Sequence, residues 1–372
     1  MMKLKLLSGL LCTILSLAAC TDSTLPTVVR EDWGNVEGAP VYLYTLTNAN
    51  GLTVKITNYG GIITELYTPN REGRMENIVL GLDSLSAYVK GHPAFGSLVG
   101  RYINRIGDAK FTIDGVEYRL AKNSNGRHNI HGGRKNFYVK VWEGTTAVTK
   151  ESAILSLTYL SEDMEEGFPG NLQVKVNYIL TNNDELRMEY TATTDKPTVV
   201  NLSNHSYFNL TGAKENVLNH EVRIYADEYI PTDRDQIPTG EILPVDGTLL
   251  DLRQWTRIGE RMDSLPGGFD HSLCVKGKNG EEPVLVAEVR EPKSGRMLKT
   301  YTTQPGLCFY TGRWLGTKRN TTHGLTYEPF WGLCLETQHH PDSPNHPNFP
   351  STVLRPGETY REVTVYRFLN ER

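Results

Sequence analysis

The clearest pattern along the chain is a two-residue alternation. In "LQVKVNYIL", apolar Leu172, Val174, Val176, Tyr178 and Leu180 share one side, and Gln173, Lys175 and Asn177 the other. Strand side chains point alternately to opposite faces, so this spacing predicts a strand with one buried face. After the turn "TNNDE" the alternation resumes with Leu186, Met188, Tyr190 and Ala192, which predicts an antiparallel hairpin. "ILSLTYL" just upstream and "REVTVYRF" near the end repeat the style. Helical periodicity is scarce, with "DSLSAYVK" the best short candidate. No internal repeat, low-complexity tract or Pro/Gly/Ser linker divides the chain. The pattern predicts an all-β fold, one large antiparallel β-sandwich domain over residues 31–372.

Composition supports this picture. The 34 glycines and 19 prolines suit many short strands joined by tight turns. A hydrophobic fraction of 38% over 372 residues is enough for a substantial core. The net charge of -4, with no run of Lys or Arg long enough to follow a phosphate backbone, argues against nucleic acid as a partner.

The N-terminus is a separate object. "MMKLKLLSGLLCTILSLAAC" places Lys3 and Lys5 before a short apolar run and then small residues, the layout of an export signal too short to span a bilayer. Its ending, Leu17-Ala18-Ala19-Cys20, resembles the lipobox of bacterial lipoproteins. That resemblance implies a signal peptide over residues 1–19 and a lipid-bearing Cys20. A polar tether over 20–30 would follow, on a protein anchored to a membrane and facing the periplasm. An ordinary secretory signal that happens to contain Cys20 is the alternative. Cys274, Cys308 and Cys334 then remain. They are odd in number and lack C-x-x-C spacing, so they read as buried free thiols, with no metal site or disulfide framework.

Several segments carry more polar chemistry than strands and turns require: "GRYINRIGDAKF" with Arg101, Asn104 and Arg105; "RHNIHGG" with His128 and His131; "NLSNHSYFNL" around His205; "PGGFDHSLCV" with Asp270 and His271; and "TTQPGLCFYTG" and "WGLCLETQHHPDSPNHPNFP" with Gln304 and Glu336. Glu336 follows an apolar run that should be buried, and a carboxylate there needs partners or a job. His339, His340, Asp342 and His346 lie close in sequence. Pro341, Pro344 and Pro347 make their segment an extended loop, with no helix to present ligands at i and i+4, so no metal is expected. Phosphate-loop, dinucleotide, H-E-x-x-H and G-x-S-x-G motifs are absent, and no cofactor is expected.

A His, a Glu, an Asp, an Arg and a Gln among aromatic residues suit a neutral polyhydroxylated ligand. One carboxylate and one histidine together can open and reclose a hemiacetal ring: a base takes the anomeric hydroxyl proton while an acid protonates the ring oxygen.

"GRYINRIG", "HNIHGG", "NLSNHSYFNLTG", "GGFDHS", "TTQPGLCFYTG" and "LETQHHPDSPNHPNFPSTVLRPGE" resemble, in order, the signature segments of the aldose 1-epimerases, or galactose mutarotases. They lie within residues 96 to 359. The resemblance implies the mutarotase supersandwich fold and a small-molecule aldose as substrate. It implies that His205 is the general acid and Glu336 the general base. Asn104, Arg105, His131, Asp270 and Gln304 would hydrogen-bond the sugar, and Tyr207 would shape the site. The asparagines Asn201, Asn204 and Asn209 are read as fixing the rotamer and hydrogen bonding of His205. Two other readings stay open: a glycoside hydrolase using Asp270 with Glu336, and a non-catalytic carbohydrate-binding protein on the same scaffold.

Overall fold

A computed structural model describes residues 25–276, 282–316 and 321–371. The alternating segment forms the expected hairpin. Leu172–Thr181 and Glu185–Thr194 are antiparallel, with Val176 opposite Tyr190 and Leu180 opposite Leu186. All the apolar members of the alternation are buried. Asp184 turns the chain at φ 59°, a conformation its short polar side chain tolerates.

This hairpin belongs to a nine-stranded antiparallel sheet. On one side of it lie Ser152–Ser161, which contains "ILSLTYL", and then Glu143–Val148. On the other side the next strand is Tyr360–Asn370, which contains "REVTVYRF". Arg296–Thr302, Val284–Arg290, Glu221–Ile224 and Thr256–Arg257 complete the sheet. A five-stranded meander runs from Thr27–Val36 to Met75–Asn77. A second five-stranded sheet has the order Leu243–Pro244, Ala226–Ile230, Asp270–Val275, Gly306–Tyr310, Cys334–Gln338. One apolar cluster joins all three sheets, with Leu46 and Val54 from the meander, Val176 and Leu186 from the large sheet, and Leu273, Leu307 and Leu335 from the third. Each such side chain contributes about 1.5–3 kcal/mol by leaving water.

The short helical candidate is present as Leu85–Val89, with Leu85, Ala87 and Tyr88 buried. Gly91 at φ 99° and Pro93 stop it. Thr27–Arg30 of the expected tether are taken up in the first strand, where Thr27 pairs with Thr47. Residues 1–24, with the expected signal segment and Cys20, lie outside the described residues.

Arg101 is structural. Its guanidinium donates to Ser161 Oγ (2.9 Å) and to the carbonyls of Pro169 (2.8 Å), Ser161 (3.0 Å) and Glu162 (2.8 Å). Burial lowers its pKa to about 10. It ties the segment leading to Asn104 and Arg105 against the large sheet.

Candidate active site

Strand register assembles one wall of the site. Asp270 lies opposite Tyr310, Tyr310 opposite Cys334, and Cys308 opposite Glu336. Residues paired across strands share a face, so these five side chains point the same way. The facing wall carries His205, on the short strand Ser203–His205 paired with Ser97–Val99. Between the walls is a cleft of about 220 Å³ lined by Asn104, Arg105, His131, His205, Tyr207, Asp270 and Glu336, together with Cys308, Tyr310, Tyr138 and Trp314.

His205 Nε2 lies 3.5 Å from Glu336 Oε1, with both side chains almost wholly buried. Its Nδ1 lies 3.5 Å from Cys334 Sγ. Tyr207 stacks on the ring at 5.0 Å between centroids, and His131 meets it edge-on at 5.4 Å. The Tyr207 hydroxyl donates to the Pro93 carbonyl (3.0 Å), which fixes its ring. Burial lowers the pKa of His205 to about 4. Burial raises that of Glu336 well above the carboxylate range; the nearby Asp270 adds to this and Arg105 opposes it. Both effects disfavour charge on the pair in the empty cleft.

Backbone conformation sets the other side chains of the cleft. His131 sits at φ 52° and is followed by Gly132 at φ 80°. A Cβ on Gly132 would come within 2.2 Å of the Gly100 carbonyl oxygen, so only glycine fits there. The Asn104 N–H donates to His131 Nδ1 (3.2 Å). Burial lowers the His131 pKa well below 6.5, so the ring is neutral and its Nε2 carries the proton. The Arg105 guanidinium donates to Gln236 Oε1 (2.5 Å), and Gln236 Nε2 donates to Asp270 Oδ2 (2.5 Å). Gln236 thereby holds a cation and a carboxylate at a fixed separation along the cleft.

A family model described as aldose 1-epimerase matches residues 42–367. The chain belongs to the aldose 1-epimerase family. It is 42% identical to the galactose mutarotase of Sus scrofa over 92% of this chain and 98% of that one. It is 36% identical to the aldose 1-epimerase of Escherichia coli K12 over 90% and 97%. Among solved structures, galactose 1-epimerase from Lactobacillus acidophilus superposes with a TM-score of 0.81 at 26% identity, over 94% of this chain and all of that one. An aldose epimerase homologue from C. elegans gives 0.79 at 29% identity, over 87% and 97%.

Two expectations, one implied by the family signatures and one read from the residues around His205, need correction. Gln304 is absent from the cleft lining. It is fully buried, and its amide NH₂ donates to the carbonyls of Thr337 (2.9 Å) and Leu202 (3.2 Å). It ties the Glu336 strand to the segment entering His205 and does not reach the cleft. The asparagines do not bond the His205 ring either. Asn201 locks both backbone groups of His339, accepting from its N–H (2.9 Å) and donating to its carbonyl (3.1 Å). Asn204 donates to the Gly96 carbonyl (2.9 Å) and accepts from Ser206. Asn209 donates to the carbonyls of Glu215 and Trp331 (2.7 Å each). Their amides satisfy the backbone of a buried, irregular stretch. They place the His205 segment, while other residues set its ring.

The histidines of "ETQHHPDSPNH" disperse: His339 pairs with Glu362 (3.1 Å) and His346 with Asp342 (3.2 Å). Sequence reasoning missed Gln236, Cys308, Tyr310 and Trp314. Gln236→Ala removes the bridge between Arg105 and Asp270, and is expected to raise KM for aldoses about 5–20-fold while kcat changes less than about 3-fold. Initial rates across a galactose series check this; an unchanged KM would show the bridge to be idle.

Proposed function

We propose that this aldose 1-epimerase interconverts the α and β anomers of free aldohexoses such as galactose and glucose, with His205 and Glu336 as its two proton carriers. The observation that carries the reading is the 3.5 Å approach of His205 Nε2 and Glu336 Oε1 across a buried cleft. In a pyranose, the ring oxygen and the anomeric hydroxyl are both bonded to C1. An acid and a base at this spacing reach both oxygens at once.

Ring opening starts from the Glu336 carboxylate and the His205 imidazolium. Sugar hydroxyls and Arg105 favour this charged form against the burial that opposes it. Glu336 takes the proton from the anomeric hydroxyl, the C1–O bond to the ring oxygen breaks, C1 becomes a carbonyl, and Nε2 protonates the released oxygen. The carriers end as a carboxylic acid and a neutral imidazole. Rotation about C1–C2 presents the other carbonyl face, and closure returns each proton to its source. Arg105, Asp270, Asn104 and the Nε2–H of His131 supply donors and acceptors for the hydroxyls, and Tyr207 and Tyr310 supply apolar surface for C–H groups. Asp270 is tethered to Gln236, which suits a ligand-holding carboxylate better than the second acid of a glycosidase.

Polarimetry of freshly dissolved α-D-galactose and α-D-glucose with the purified protein tests this. A faster approach to anomeric equilibrium supports the reading. Failure to accelerate any aldose would sink it.

We also propose that residues 1–19 are removed as a lipoprotein signal, and that lipidated Cys20 anchors the enzyme to a membrane, facing the periplasm. Support comes from the n-region, apolar run and Leu17–Cys20 ending. Metabolic labelling with a fatty acid is expected to mark the wild type and not Cys20→Ala, which should leave the membrane fraction. Equal distribution of both forms would overturn the anchor.

A further inference from the structure

We propose that Cys334 is a positioning residue: its sulfur accepts a hydrogen bond from Nδ1–H of His205, so that Nε2 is the nitrogen that gives and takes the proton. This rests on the ring-opening reading above.

The chemistry sets the requirement. When imidazolium gives its Nε2 proton to the ring oxygen, the neutral ring that remains carries its proton on Nδ1. Closure needs that same bare Nε2 to take the proton back. A neutral ring that relaxed to the other tautomer would turn an N–H toward the ring-oxygen hydroxyl and could not accept from it. The active tautomer therefore has to be held for the lifetime of the open-chain sugar. Which nitrogen of a histidine is protonated is set by the partner of the other nitrogen.

The surroundings of His205 meet this requirement. Nε2 faces Glu336 Oε1, and Nδ1 faces Cys334 Sγ at 3.5 Å. Aromatic rings pack around it, with Tyr207 on one face and His131 and Tyr310 at the edges. The other acceptor the ring feels is its own backbone carbonyl, which also receives the Gly96 N–H (3.1 Å). Cys334 is fixed by its strand, paired with Tyr310 two residues before Glu336, and is fully buried. Burial pushes its thiol well above the ordinary range, so the sulfur is an uncharged acceptor that leaves the charge balance of the pair untouched. The same strand thus supplies the base and the group that orients the acid. A ring nitrogen of His205, the Cys334 sulfur and a Glu336 carboxylate oxygen all lie within 4.8 Å of one another.

The test is ¹⁵N NMR of histidine-labelled protein, which reads the tautomer of His205 without substrate, alongside polarimetric kinetics on α-D-galactose. Wild type is expected to show neutral His205 as Nδ1–H. Cys334→Ala should move it toward a mixture with Nε2–H and lower kcat about ten-fold, with KM within about two-fold. Cys334→Ser, which keeps an acceptor at that place, should restore both the tautomer and most of kcat. An Nε2–H ring in the wild type overturns the proposal without any variant. So does Cys334→Ala that keeps the wild-type tautomer, whatever its rate. Because the tautomer is read in the empty protein, its failure is distinct from a failure to accelerate any aldose.

Discussion

Glu336→Gln is expected to lower kcat for anomer interconversion by about 10²–10⁴-fold, the range that general acid–base groups supply. The amide is isosteric and fits the same buried place, but it cannot take the proton from the anomeric hydroxyl. The fold should not suffer. The carboxyl is almost wholly buried, and burial and the nearby Asp270 disfavour its charge while Arg105 opposes them, so a neutral amide costs little there. Thermal midpoint is therefore expected to stay level or rise while activity disappears, a combination that separates lost chemistry from lost structure. His205→Asn should give a loss of similar size. The double variant should be no worse than the poorer single, because carriers that act as a unit are not additive. Polarimetry on α-D-galactose and a thermal melt of each variant decide this. A Glu336→Gln enzyme within about ten-fold of wild type would remove Glu336 from the mechanism.

What could be read from the sequence follows from how local each feature is. The hairpin Leu172–Thr194 was legible because its partners lie a few residues apart and one face is continuously apolar. The neighbour of Glu185–Thr194 on its other side is Tyr360–Asn370, and no local pattern announces a pairing across that separation. Glu336 was legible because a carboxylate in an apolar run needs a reason. Gln304 was given a sugar-binding role only by the family resemblance, yet its place is structural: the carbonyls of Leu202 and Thr337 take up its amide NH₂. The same error in milder form attached the asparagines to the His205 ring, when they serve backbone groups on other segments. Gln236 was invisible for the opposite cause. In the loop "RDQIPTG" a glutamine is ordinary, and only the turn, with Gln236 at φ 62°, brings it between Arg105 and Asp270. Cys334 reads as a small buried hydrophobe in any strand, and its contact with Nδ1 appears only when the two walls of the cleft meet.

Stability is expected to fall steeply as pH drops from about 6.5 to about 4, with histidines as the cause. Burial lowers His205, His220 and His340 from 6.5 to about 4. His220 shows why protonation is resisted: it is fully buried, and its Nε2 accepts the Leu210 N–H at 2.9 Å, so an added proton would set two donors against each other. The unfolded chain takes up these protons near 6.5 and the folded chain only near 4. Between those values the unfolded state binds more protons, so stability rises with pH and is lost on acidification. Each histidine contributes a slope of up to about 1.4 kcal/mol per pH unit within that window. Glu288 acts lower down. Burial opposes its ionisation, but hydrogen bonds from Tyr225, Lys299 and Arg223 outweigh that and bring it to about 2. Its share is therefore present above about 4.5 and is lost as pH falls toward 2. Denaturant midpoints measured at half-unit steps from pH 7.5 to 4 should show the histidine slope. His220→Gln, whose side-chain oxygen can accept the Leu210 N–H at every pH, should flatten that slope by one histidine's share while leaving ring opening at pH 7 unchanged. A stability that stays level between pH 7 and 5 would mean that these rings protonate in the folded protein as they do in water, and that their burial has been overcome by groups that stabilise the charge.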